Sequence, residues 1–123
     1  MTKILIVEDD IKILRALAMR LRAGGYDTLT ASDALSGVSM AVRNRPDLMI
    51  LDINMPAGSG LDMLDKIRSH PDMPLIPTIF LTASKDPEYR RRANELGAHD
   101  FVEKPFTPID LMDSVETALT GSY

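Results

Sequence analysis

The chain predicts an α/β fold: a doubly wound, five-stranded parallel sheet with helices on both faces. Three observations carry that prediction. Five short β-rich runs alternate with segments whose apolar residues recur at helical spacing. The first and third runs are continuously apolar and the fourth nearly so, the pattern of strands covered on both faces. Glycines, prolines and capping residues fall between the segments, where a repeating βα unit needs its turns. Such a repeat implies right-handed crossovers, and its ligands sit beyond the carboxyl ends of the strands, near the point where strand order reverses.

In order, Ile4–Val7 is the first strand, and Ile11, Leu14, Leu17, Ala18 and Leu21 mark the first helix, stopped by Gly24–Gly25. Tyr26–Ala31 is more polar and suits an edge strand. Ser32 or Asp33 caps a second helix that ends before Pro46. Leu48–Leu51 is the third strand, and Leu61, Leu64 and Ile67 outline a third helix after Gly58–Gly60. Thr78–Leu81 is the fourth strand, followed by a helix from about Pro87 to Leu96 that stops at Gly97. Phe101–Val102 is the fifth strand. Thr107 caps the last helix, with Pro108 in its first turn and Ile109, Met112, Val115 and Leu119 on one face.

Composition narrows the function. The 123 residues are 45% hydrophobic, enough for one core and too many for a disordered chain. No linker or second period divides them, so residues 1–123 are expected to form one domain; Thr120–Tyr123 contains no effector domain and favours neither a stand-alone receiver nor a part of a longer regulator. The absence of cysteine excludes disulfides, thiolate catalysis and Cys-ligated metals. His70 and His99 alone supply histidine, read here as solvated loop residues. A net charge of -4 argues against direct nucleic-acid binding. No apolar run approaches a membrane span or a signal peptide, so a soluble cytoplasmic chain is expected, without membrane contact.

Chemistry gathers at the strand ends. The first strand runs into Glu8-Asp9-Asp10, the third into Asp52, the fourth into Thr82 and the fifth into Lys104-Pro105. Singly, each has an ordinary reading: an acidic residue after a strand is a cap, Thr82 a strand-end cap, Lys104 a solvated charge. Together at one edge they form a kit. Glu8, Asp9 and Asp52 would repel one another unless a cation joined them, and a hard, oxygen-preferring Mg²⁺ suits that role. With an ammonium at Lys104 and a hydroxyl at Thr82, the set suffices for in-line phosphoryl transfer to an aspartate. The Met55–Gly60 segment lacks the glycine pattern of a dinucleotide loop and any Gly-Lys-Ser/Thr, so it reads as a flexible turn and no organic cofactor is expected.

The stretches Ile4–Asp10, Leu51-Asp52-Ile53-Asn54-Met55-Pro56 with Gly60, Leu81-Thr82-Ala83, and Phe101–Phe106 together resemble the receiver domain of two-component response regulators, over essentially the whole chain. That resemblance implies a flavodoxin-like sheet of order 2-1-3-4-5. It implies Asp52 as phosphoryl acceptor and Mg²⁺ held by Asp9, Asp52 and the Asn54 backbone carbonyl, with Glu8 reaching it through water. It further implies Thr82 and Phe101 as switch residues, Lys104 as the phosphate-pairing lysine, and a cis Lys104–Pro105 peptide. The side chains of Asn54 and Ser84 fall where the family tunes dephosphorylation. The implied partners are a histidine kinase or histidine phosphotransfer protein, docking at the first helix, where Lys12 and Arg15 are candidate contacts. A downstream target or a second copy would bind through the fourth helix, fifth strand and fifth helix. Arg90-Arg91-Arg92 there reads either as a solvated face or as a contact for an acidic partner. The competing reading is a small metal-dependent phosphohydrolase using the same carboxylates.

Overall fold

In the computed structural model, which describes residues 1–56 and 58–121, ten elements form in the expected order. They are β1 (Lys3–Val7), α1 (Ile11–Ala23), β2 (Asp27–Ala31), α2 (Ala34–Asn44), β3 (Leu48–Asp52), α3 (Gly60–Arg68), β4 (Thr78–Thr82), α4 (Pro87–Glu95), β5 (Asp100–Glu103) and α5 (Pro108–Thr120). Ala57, inside the Met55–Gly60 turn, and Ser122-Tyr123 of the tail lie outside the described residues. The sheet is parallel throughout, in the order β2-β1-β3-β4-β5.

Two-sided burial explains the apolar runs. Leu5, Val7, Met49, Leu51 and Phe80 face α2, α3 and α4, packing with Leu61, Leu64, Ile67 and Ala93. Ile4, Ile6, Leu48, Ile50, Ile79 and Leu81 face α1 and α5, against Leu14, Leu17, Leu21, Leu111 and Val115. Each fully buried aliphatic side chain of this kind contributes roughly 1.5–3 kcal/mol, which lets the same sheet carry buried charges at its end. The outer strands are more polar: Thr30 on β2 and Asp100 and Glu103 on β5 are exposed, as edges require.

Caps set the helix starts. Asp10 accepts from the Lys12 and Ile13 N–H groups at 2.9 and 3.3 Å, and Thr107 from that of Asp110 at 3.1 Å. Of the two candidates before α2, Asp33 is the cap, accepting from the Ser36 N–H at 2.8 Å. Arg45, with φ 46°, turns the chain out of α2 before Pro46.

Four expectations need correction. β5 is longer than Phe101–Val102, because its polar ends Asp100 and Glu103 pair with Ile79 and Thr82. Tyr26 precedes β2, its N–H donating to the Leu21 carbonyl at 3.1 Å to close α1. On α5 the buried stripe is Leu111, Ser114, Val115 and Ala118; Met112 and Leu119 are half-buried beside it, and Ile109 is 72% exposed. Two stripes of similar apolarity fit the helical period there, and a buried hydroxyl conceals the true one: Ser114 Oγ donates to Asp100 Oδ2 at 2.6 Å. His99 is half-buried where the chain enters β5, its N–H donating to the Thr78 carbonyl at 2.9 Å, whereas His70 is exposed as expected. Among the described residues, no helix is long and apolar enough to cross a membrane.

Candidate functional site

Parallel register brings the reactive residues to one edge. Val7 pairs with Leu51, Asp52 with Leu81, and Thr82 with Glu103, so Glu8, Asp52, Thr82 and Lys104 emerge side by side. The cleft lies where the order reverses, β1 standing between β2 and β3. α3 begins hard against this edge. A Cβ at Gly60 would stand 2.5 Å from the Asp52 carbonyl oxygen, so only glycine lets the helix start there.

Burial divides the acidic residues. Glu8 is fully buried and Asp52 is 2% exposed, whereas Asp9 is exposed. One carboxylate oxygen from each lies within 4.8 Å of the others. Lys104 reaches in from the far side of a cis Lys104–Pro105 peptide, its Nζ 2.5 Å from Glu8 Oε1 and 3.5 Å from Asp52 Oδ2. The lysine therefore rests on Glu8 and only approaches the acceptor candidate. The Asn54 N–H donates to Asp52 Oδ1 at 3.3 Å.

These contacts set the protonation balance. Burial pushes Asp52 up, and the neighbouring Glu8, by hydrogen bond and by charge, pushes it further, to about 7, against the pull of Lys104. Burial would also raise Glu8, but hydrogen bonds with Asp52 and Lys104 outweigh it and hold its carboxyl below the ordinary value. Desolvation of Lys104 is outweighed in turn by the two carboxylates, and its pKa is raised. Three carboxylates of one hard-oxygen donor set, two of them buried beside a single ammonium among the described residues, leave room for more positive charge. The set fits Mg²⁺.

Thr82 ends β4 fully buried, and its hydroxyl does not face Asp52 as a free donor. Thr82 Oγ1 donates to Asn54 Oδ1 at 2.5 Å and accepts from the Ser84 N–H at 3.0 Å. This bond goes beyond the sequence expectations, which give Asn54 a backbone role and a tuning side chain. Its only signal there is the placement of both residues at or just past neighbouring strand ends.

Phe101 is half-buried against the α2–α3–α4 side of the core, and the Arg90 guanidinium lies 4.5 Å from its ring centroid. Arg90 also approaches Glu103 at 3.4 Å. Arg91 is bound by Glu88 and Glu95 of its own helix, and Arg92 reaches Asp62 of α3 at 3.1 Å. Each of the three arginines thus has a partner within the chain. That favours the solvated-face reading over a surface waiting for acidic groups.

Comparison with known proteins agrees with this geometry. The family model described as response regulator receiver domain matches residues 4–116. A probable transcriptional regulator, ycf27, of Porphyridium aerugineum is 37% identical over 117 residues, covering 95% of this chain and 48% of that protein. The alkaline phosphatase synthesis transcriptional regulatory protein PhoP of Bacillus subtilis (strain 168) is 36% identical over 121 residues, covering 98% of this chain and 49% of that protein. The chain thus spans about half the length of the curated relatives it matches. Among solved structures, the chemotaxis protein CheY4 of Vibrio cholerae superposes with a TM-score of 0.89 at 30% identity, covering 97% of this chain and 99% of that one. A CheY-like receiver protein of Methanospirillum hungatei JF-1 gives 0.90 at 28% identity, with 98% and 95% covered.

Proposed function

The chain belongs to the response regulator receiver domain family of two-component systems, and on that premise we propose that it is a signalling switch phosphorylated on Asp52. The observation that carries the assignment is the buried Asp52 carboxylate at the switch point, flanked by Glu8 and Asp9 and approached by Lys104. A donor phosphohistidine on a kinase or phosphotransfer protein would supply the group. An Asp52 carboxylate oxygen attacks phosphorus, the P–N bond breaks and the imidazole departs as the P–O bond forms. Lys104 pairs with the transferred oxygens without leaving Glu8, since an ammonium has three donors.

Asp9, Asp52 and the Asn54 carbonyl are the proposed holders of Mg²⁺, with Glu8 acting through water. The ion, when bound, supplies the positive charge that keeps Asp52 ionised at neutral pH and offsets the phosphoryl charge. The Asn54 N–H holds the Asp52 carboxylate at Oδ1, and Gly60 lets α3 start close against the Asp52 main chain. The apolar groove between α1 and α5, lined by Ile13, Leu17, Phe106, Pro108 and Leu111, suits the donor because it borders Lys104. The output is proposed to be the α4–β5–α5 face, where Phe101 sits, acting on a downstream protein or a second copy in the cytoplasm. The named relatives are regulators and receiver proteins, which supports a switch over a phosphohydrolase.

Intact mass after incubation with Mg²⁺ and a small acyl phosphate tests the assignment. One added phosphoryl group on the wild type and none on Asp52→Asn is expected. Equal labelling of the two proteins would overturn Asp52 as acceptor.

A further inference from the structure

Resting on that reading, we infer that the Asn54 carboxamide is a latch, holding the Thr82 hydroxyl in its resting position until an acceptor stronger than an amide arrives. A threonine hydroxyl has one proton to give. Here that proton goes to Asn54 Oδ1 at 2.5 Å, while a lone pair accepts from the Ser84 N–H at 3.0 Å. A phosphoryl group on Asp52 would present oxygens that only accept. Thr82 cannot serve them and Asn54 together, so turning toward Asp52 requires breaking the Asn54 bond.

The exchange has a natural direction. A bond to a charged oxygen is roughly twice as strong as one to a neutral amide, so the latch yields when the charged oxygens of a phosphoryl group on Asp52 come within reach of Thr82. Release is easy on the Asn54 side because that residue is exposed and water replaces the lost donor. Thr82 itself is fully buried, so its hydroxyl must always have a protein or ligand partner. Asn54 also ties the two ends of the switch together. Its N–H donates to Asp52 Oδ1 at 3.3 Å while its side chain holds Thr82, 28 residues away. Asn54 is therefore a positioning residue, acting on the acceptor pocket through Thr82.

Beryllofluoride with Mg²⁺, a phosphoryl mimic, tests this by titration of the wild type, Asn54→Ala, Thr82→Val and the double variant. Removing the latch should tighten binding about fivefold, the worth of one neutral hydrogen bond, and only where the Thr82 hydroxyl is present. In ligand-free Asn54→Ala, the Ser84 amide resonance should move toward its position in the beryllofluoride-bound wild type. An equal gain from Asn54→Ala with and without the Thr82→Val substitution, or no gain with an unmoved Ser84 resonance, overturns the latch alone. A wild type that binds no beryllofluoride overturns the receiver reading and the latch with it.

Discussion

At the strand ends, Glu8 and Asp52 are nearly inaccessible to water and share the Lys104 ammonium. On α4, the Arg90 and Arg91 side chains are about half exposed (52% and 56%), and Arg91 is gripped by two carboxylates of its own helix. The first cluster is buried and carries an excess of one sign; the second is exposed and matched. Water screens the second so well that its pairs add little, whereas the first has no such relief and shifts its protonation instead. Asp52 is held up at about 7, while Glu88 on α4 is drawn below its ordinary value by the hydrogen bond from Arg91. A charged cluster becomes a candidate for chemistry when burial prevents the solvent from balancing it.

The contrast can be broken at three points, taken from the largest effect to the smallest. Lys104→Met removes the ammonium and leaves two buried carboxylates facing each other. It should cost about 3 kcal/mol in urea unfolding at pH 7.5 without divalent cations. A loss no greater than that of an exposed lysine would mean the site is not electrostatically confined.

Asp52→Asn tests the other sign. Because its pKa is raised on folding from 3.8 to about 7, Asp52 favours the folded state fully below about pH 4. That contribution is lost as pH rises through about 7, so the ionised residue opposes folding above it. The asparagine variant should therefore be more stable than the wild type by about 2 kcal/mol at pH 8, without Mg²⁺. The gap should shrink toward pH 4 and on adding Mg²⁺. Unfolding curves at pH 5 and pH 8 decide it, and a pH-independent gap would contradict the shifted carboxyl.

Arg91→Ala, finally, should leave the melting temperature within the scatter of replicate scans. It removes exposed pairs that water already screens. A clear drop in melting temperature would mean that the α4 network contributes to the fold and the contrast between the two clusters is false.

Much of this was legible in the order of residues. Apolar runs at Ile4–Val7 and Leu48–Leu51 announce strands buried on both faces because every side chain there must avoid water. Asp33 and Thr107 announce helix starts because a cap needs only its own next three residues. The acidic residues and the lysine could be placed together because they end or closely follow strands, and parallel strands end together; the resemblance to a receiver domain then gave Asp52 and Lys104 their expected roles. The α5 stripe is illegible for the converse reason. Helical spacing admits both Ile109 and Leu111, and only the packing of Leu111 and Val115 onto Ile4, Ile50 and Leu81 chooses between them.

What the tertiary structure alone decided is who meets whom across long loops. Lys104 settles on Glu8, 96 residues away, and Thr82 gives its proton to Asn54 instead of to Asp52. Arg90 covers Phe101, and Arg92 reaches across to Asp62. Periodicity and capping act over a few residues, so local sequence carries them. Ion pairs and hydrogen bonds at the strand ends depend on sub-ångström placement of side chains from separate elements, and burial then sets their strength. Sequence order alone therefore determined the fold and the names of the candidate residues at its strand ends, and folding determined which of them is buried, charged or held.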